Sequence, residues 1–252
     1  LTGNFKMAKN VLVVGSVDTV GRAIEFSSKG PAYDGRIKPE LVSYSVAGTS
    51  NSAAIVSGTV SLLQQAYKEM NGELPPSALI KALLINGAAD VGRSGVDFET
   101  GFGNLDAYAS IRTLKDGKYR SGTIASSETQ NFIISVPAEA TNLKVTLVWH
   151  DLPANANDAM ALVNDLDMRI ETPSAEVVLP WVLSHQPQSL QQIGERGEDH
   201  LNNIEQITIT ELQGGDYTIS IGGHSVQGAQ DYYLAYQWDV LESFQWFYPT
   251  AS

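Results

Sequence analysis

The sequence predicts an α/β unit with a mostly parallel sheet, followed by an all-β sandwich or jelly roll, on three observations. Up to about residue 116, short apolar runs alternate with apolar positions at helical spacing. From about Tyr119 the apolar period switches to two. Between the two regimes Asp116-Gly117-Lys118 reads as a turn. The expected organisation is 1–117 for the α/β unit, 118–241 for the β unit, and 242–252 for the start of a tail or linker.

Each element has its own justification. Asn10 to Asp18 carries the apolar run Val11-Leu12-Val13-Val14, the kind of strand buried on both faces of a parallel sheet. Gly30-Pro31 and Asp34-Gly35 break the chain before the strand-like Lys38-Pro39-Glu40-Leu41-Val42. Val56, Val60, Leu63, Tyr67 and Met70 then recur at helical spacing, and Asn71-Gly72 closes that helix. Its first turns hold Ala53, Ala54, Ser57 and Gly58. A mid-helix glycine costs roughly 1 kcal/mol against alanine, which makes sense if another backbone approaches this stretch closely. Pro75-Pro76-Ser77 opens a second helix through Leu79, Ile80, Leu83 and Leu84, and a third runs from Leu105 to Leu114. In the β unit, Leu143 to Trp149, Leu166 to Ile170, Tyr217 to Ile221 and Tyr232 to Val240 alternate, predicting strands with one apolar face each.

Composition bounds the function. With 252 residues and 43% apolar content, the chain can bury a sizeable core, and no apolar run reaches the 18 residues of a membrane span. Sixteen basic residues against 28 acidic give 16 − 28 = −12, which argues against a nucleic-acid surface or an anionic-membrane binder. The absence of cysteine removes disulfides, thiolate nucleophiles and cysteine-bound zinc. Charged residues make up 17%, below the ~25% of ordinary soluble domains, so the surface is neutral and hydroxyl-rich, as suits an extracellular protein. Leu1 is no initiator methionine and the chain stops after the aromatic Phe244-Gln245-Trp246-Phe247-Tyr248, so a piece of a longer protein is expected.

The stretch with chemical potential is Gly48-Thr49-Ser50, between a strand and the small-residue helix. A serine at such a junction sits among unpaired backbone N–H groups at a helix N-terminus, where negative charge is favoured. An oxyanion formed on attack at a carbonyl can be met by the serine's own amide. The alternative is that Ser50 merely caps the helix.

The surroundings extend the pattern. Phe26-Ser27-Ser28-Lys29-Gly30-Pro31, Asp34-Gly35-Arg36-Ile37-Lys38-Pro39-Glu40, Gly48-Thr49-Ser50, Ala82-Leu83-Leu84-Ile85-Asn86-Gly87-Ala88 and Gly101-Phe102-Gly103 follow one another in the order found in subtilisin-like serine proteases. Leu147-Val148-Trp149-His150-Asp151, Leu162-Val163-Asn164-Asp165-Leu166-Asp167 and Asn202-Asn203-Ile204-Glu205-Gln206 are similar to the β-domain appended to some bacterial subtilases. The chain therefore resembles the C-terminal half of a subtilase catalytic domain plus that β-domain. The resemblance implies a secreted or cell-surface serine endopeptidase acting on protein or peptide substrates, with Ser50 as the acyl-forming nucleophile. Its triad Asp and His and its oxyanion Asn would precede Ser50, yet the residues before Ser50 contain no histidine. His150, His185, His200 and His224 all fall in the β unit and are read as surface or structural. The chain alone is therefore expected to be inactive and to need a missing N-terminal part as its partner. Ala54 also departs from the family pattern, which has a proline there.

Asp165 and Asp167 alternate along a strand and share a face; with Glu205 they offer hard oxygen donors of the kind calcium takes. The resemblance implies a structural Ca²⁺ in this region, against the alternative of a solvated acidic face beside Arg169. A carbohydrate-binding sandwich with Trp181 or Trp246 as sugar platforms, or an adhesive module of a secreted protein, are the other readings open on the sequence.

Overall fold

The structure is a computed structural model that describes residues 4–240; the tail expected at 242–252, with Trp246, lies outside the described residues. Val14–Val17 (β1) and Leu41–Tyr44 (β2) pair in parallel, with Val17, Leu41 and Val42 buried. Thr49–Asn71 forms α1, ended by Gly72 in the left-handed conformation at φ 80°. Its buried stripe is Ser52, Val56, Thr59, Leu63 and Ala66, at the alternating spacing of one helix face. Of the positions expected to be apolar and inward, Met70 is exposed. The small-residue start also departs from expectation: Ala53, Ala54, Ile55, Ser57, Gly58 and Leu62 are exposed, and a Cβ built on Gly58 would meet nothing within 4 Å.

Ser77–Gly87 (α2) is buried at every position after Ser77, as an all-round apolar helix must be. One side meets Ala107–Lys115 (α3) and the other meets the β half. The predicted boundary at Asp116–Lys118 falls in the turn that follows α3, where Gly117 has φ 64°.

The turn Gly101-Phe102-Gly103 pins β2 from outside. The Phe102 amide donates to the Glu40 carbonyl at 2.9 Å, and the Val42 amide donates to the Gly103 carbonyl at 3.0 Å. Gly101 has φ 64°, and a Cβ there would stand 2.2 Å from the Pro39 carbonyl oxygen. Gly101→Ala is expected to destabilise the chain by at least about 3 kcal/mol, combining left-handed backbone strain with a backbone clash; urea unfolding of the variant measures it.

The β half comprises Tyr119–Ala125 (β3), Thr129–Val136 (β4), Ala140–Trp149 (β5), Asp165–Glu171 (β6), Val177–Val178 (β7), Trp181–Val182 (β8), Glu195–Arg196 (β9), Ile204–Ile209 (β10), Gly215–Ser225 (β11) and Ala229–Val240 (β12). Two four-stranded sheets form, in the orders β10-β5-β12-β3 and β4-β11-β6-β7, and every pairing in them is antiparallel. Leu147, Trp149, Leu234 and Tyr232 from the first and Leu166, Met168, Ile219 and Tyr217 from the second share one core. In the α/β half the sheet among the described residues is the parallel pair β1–β2, with an isolated parallel bridge from Val42 to Asn104, while the four-stranded sheets of the β half are antiparallel.

The expectation of one apolar face per strand fails for the first sheet. Val148, Ile204 and Ala235 point away from the inter-sheet core and join the core of the α/β half, beside Leu79, Leu83 and Leu84. The reason is α2, which packs on β5 and β12 and covers the face that alternation assigns to solvent. Lys144 and Thr146 lie on that covered face: Thr146 is fully buried, and burial pushes the Lys144 ammonium pKa below its ordinary value. No helix among the described residues is long and apolar enough to cross a membrane.

Candidate functional site

Ser50 is exposed in the first turn of α1. The helix is capped by Gly48, at φ 125°, without a side-chain capping bond, so Ser50 is not the cap. Two residues on, Ser52 faces inward and is fully buried: its Oγ donates to the Ser43 carbonyl at 2.8 Å and lies 2.9 Å from Ser16 Oγ. Residues i and i+2 of a helix project to different sides, so the anchoring of Ser52 against β1 and β2 turns Ser50 outward. Its hydroxyl makes no side-chain hydrogen bond among the described residues.

The histidines are committed elsewhere. His150 Nδ1 lies 3.3 Å from Ser77 Oγ, and burial lowers the His150 pKa. The His185 ring packs against Gly35, where a Cβ would come within 2.8 Å of it. His200 and His224 face the aspartates of β6. Among the described residues, no histidine hydrogen-bonds to Ser50.

At the N-terminal end of β2 lies a buried ionic lattice. Glu40 Oε1 accepts from both Lys38 Nζ and Lys81 Nζ, the latter at 2.9 Å, while Oε2 accepts the Val13 amide at 2.8 Å. Lys38 also donates to the Val11 carbonyl at 2.9 Å, and Lys81 to the Lys9 carbonyl at 3.1 Å. The lattice thus ties the segment before β1 to β2 and α2. It continues into the β half, where Lys9 Nζ meets Asp151 Oδ2 at 2.6 Å and Asn10 exchanges hydrogen bonds with the Asp151 backbone. Asp151 in turn accepts the Val163 and Asn164 amides, and Asn203 donates to the Trp149 carbonyl at 2.7 Å. Asp151 and Asn203 of these motifs are therefore structural: they satisfy backbone groups where the halves meet.

The residues read as calcium ligands divide. Asp165 is buried and Asp167 half-buried on β6, one oxygen of each turned to an imidazole: Asp165 Oδ2 lies 2.8 Å from His200 Nδ1, and Asp167 Oδ2 lies 3.3 Å from His224 Nδ1. Glu205, on β10, is fully buried and its Oε2 accepts the Met168 amide at 2.6 Å. Burial raises the pKa of Asp165 and of Asp167 above the usual carboxylate range. It raises that of Glu205 well above, helped by the charges of Asp199 and Asp167. The side chains whose donor atoms converge within 4.8 Å are Asp165, His200 and His224. Calcium takes six to eight oxygens; Asp165 Oδ1, Asp167 Oδ1 and Glu205 Oε1 are buried carboxylate oxygens without a hydrogen-bond partner, while the tightest cluster of donors joins Asp165 to two imidazoles. The histidine contribution had no sequence signal, since it comes from a loop and a distant strand.

Trp181 is not a free platform. Arg196 lies over its ring at 3.6 Å, and its Nε1 donates to Thr208 Oγ1 at 2.8 Å.

Residues 3–103 match the family model described as the subtilase family, Peptidase_S8. Among curated proteins, the chain is similar to the serine protease/ABC transporter B family protein tagA of Dictyostelium discoideum, at 25% identity over 254 residues, covering 80% of this chain and 14% of that protein. It is also similar to the autotransporter lipoprotein NalP of Neisseria meningitidis, at 44% identity over 62 residues, which cover 25% of this chain and 5% of NalP. Among solved structures it is similar to the patellamide maturation protease PatA, with a TM-score of 0.36 and 23% identity over 44% of this chain and 45% of that one. The chain thus spans a small part of the curated relatives it matches.

Proposed function

We propose, from the membership of residues 3–103 in the subtilase family, that this chain is the nucleophile-bearing part of a subtilisin-like serine endopeptidase. Ser50 attacks the scissile carbonyl of a protein or peptide substrate, and its own amide at the helix N-terminus meets the oxyanion. The observation that carries the reading is the outward, unbonded hydroxyl of Ser50 in the first turn of α1, behind the positive-φ Gly48.

The triad His and Asp and the oxyanion Asn come from an N-terminal part of the same protease, and the chain alone is inactive. Two features support this. The parallel β1–β2 pair is only two strands wide, whereas parallel sheets are stable with neighbours and with both faces covered. The exposed face Ala53, Ala54, Ser57 and Gly58 leaves room for close backbone approach, and the missing part supplies it. The proposed location is secreted or cell-surface, which the description of NalP as an autotransporter lipoprotein favours.

A fluorophosphonate probe tests the proposal. The complete protein is expected to be labelled at Ser50 and the isolated chain to stay unlabelled, because a serine without its base is a poor nucleophile. Efficient labelling of the isolated chain would overturn the need for a missing part. A complete protein that stays unlabelled would favour a non-catalytic, subtilase-like binding module, to which the alanine at position 54 would then be relevant.

A further inference from the structure

Asp165 stands at a meeting of acidic and imidazole side chains. Three elements distant in sequence bring their side chains to one point: β6 through Asp165 and Asp167, the loop before β10 through His200, and β11 through His224. The two imidazole rings lie 4.4 Å apart at a tilt of 31°. His224 is the extra residue of a β-bulge, since Gly223 pairs with Leu166 and Ser225 with Asp165. Bulges re-aim a side chain, and this one leaves His224 beside Asp167.

The opposite position on the sheet is empty of side chain. Gly222 pairs with Asp167, and a Cβ there would approach no atom closer than 3.9 Å. His200 is held by a fixed loop: the buried Asp199 accepts the Leu201 and Asn202 amides at 2.9 and 3.1 Å and the Asn202 side-chain amide at 2.8 Å. Glu198 Oε2 lies 3.8 Å from His200 Nε2, the placement of an outer-shell carboxylate.

Asp165 Oδ1, Asp167 Oδ1 and Glu205 Oε1 are buried carboxylate oxygens without a hydrogen-bond partner, and Asp165 as a whole is 8% exposed. Buried carboxylate oxygens are normally satisfied. A divalent ion gives such an oxygen a partner, and two imidazole nitrogens with one carboxylate oxygen are the donor set of the zinc class.

We propose that Asp165, His200 and His224 form a binding site for one divalent transition-metal ion of the zinc class, with Asp167 beside it and solvent on its outer side. The ion ties the His200 loop to β6 and β11, and so clamps the second sheet to the segment leading into β10. The site is independent of Ser50 and of the peptidase reading.

Titration calorimetry of the full chain with zinc chloride, and the visible absorption of the cobalt-substituted chain, test this. One zinc ion per chain is expected, with cobalt bands typical of nitrogen and oxygen ligation. His200→Gln and His224→Gln are each expected to weaken zinc binding by at least about 100-fold, the upper end of what losing even an outer-shell partner costs. Their side chains are 41% and 50% exposed, so folding should survive, and circular dichroism verifies it. His185→Gln, at an exposed histidine outside the cluster, should leave the affinity unchanged. Absence of saturable zinc binding, or zinc affinity unaltered by both substitutions, overturns the proposal. So does calcium binding here that displaces zinc and survives both substitutions.

Discussion

Ser50→Ala in the complete protein is expected to lower kcat by about 10⁶-fold, the order of the loss when a subtilisin-type nucleophile is removed. The effect is large because acyl transfer through serine splits one difficult step into two, and nothing else near the first turn of α1 can take that role. Thr49 and Ser52 are the neighbouring hydroxyls, but Ser52 is buried with its hydrogen on the Ser43 carbonyl, and Thr49 precedes the helical position that points outward. KM should change little, since the hydroxyl contributes mainly to the transition state. Fold should not change either, because Ser50 makes no side-chain hydrogen bond among the described residues and is exposed. Steady-state kinetics on a peptide substrate, with thermal unfolding as control, measure both. A loss below about tenfold would remove Ser50 from the chemistry.

Glu40→Ala is expected to destabilise the chain by about 3–5 kcal/mol, the cost of leaving buried charges without their partner. Glu40 is 1% exposed and is the counter-ion of two lysines whose side chains are equally enclosed. Its removal strands both ammonium groups and frees the Val13 amide at the entry to β1. Lys38 adds a pH signature. Burial pulls its pKa from the ordinary 10.5 down to about 8, only partly opposed by Glu40. Between about pH 8 and 10.5 the unfolded chain holds this proton and the folded chain has released it. Folding stability from this group therefore rises with pH through that window and is lowest below it. Urea unfolding at several pH values should show the rise in the parent chain, and Lys38→Met should flatten it. A parent chain whose stability falls through that window, with the variant following it in parallel, would show that Lys38 keeps its proton on folding.

Much of the framework was legible from local chemistry. The spacing of Val56, Val60 and Leu63 with Asn71-Gly72 behind them marks α1 and its end, because a helix repeats every 3.6 residues and a left-handed residue suits glycine. The double proline before Ser77 and the alternating runs around Leu147, Met168, Ile219 and Leu234 likewise carry their structure in sequence. Gly48-Thr49-Ser50 placed the candidate nucleophile where the fold then turned it outward.

What the sequence by itself determined is therefore periodic or local: element type, the turn at Asp116–Lys118, and a serine at a helix start. The tertiary structure alone decided the rest. It covered the second face of β5 with α2, so that Lys144 and Thr146 went inward against their polarity. It turned Asp151 and Asn203 into backbone partners that also bond Lys9 and Asn10 across the halves, and brought His200 and His224 to Asp165 across long stretches of chain. These outcomes depend on which surfaces meet, and burial of apolar area is non-directional, so no residue announces its distant neighbours in its own local pattern.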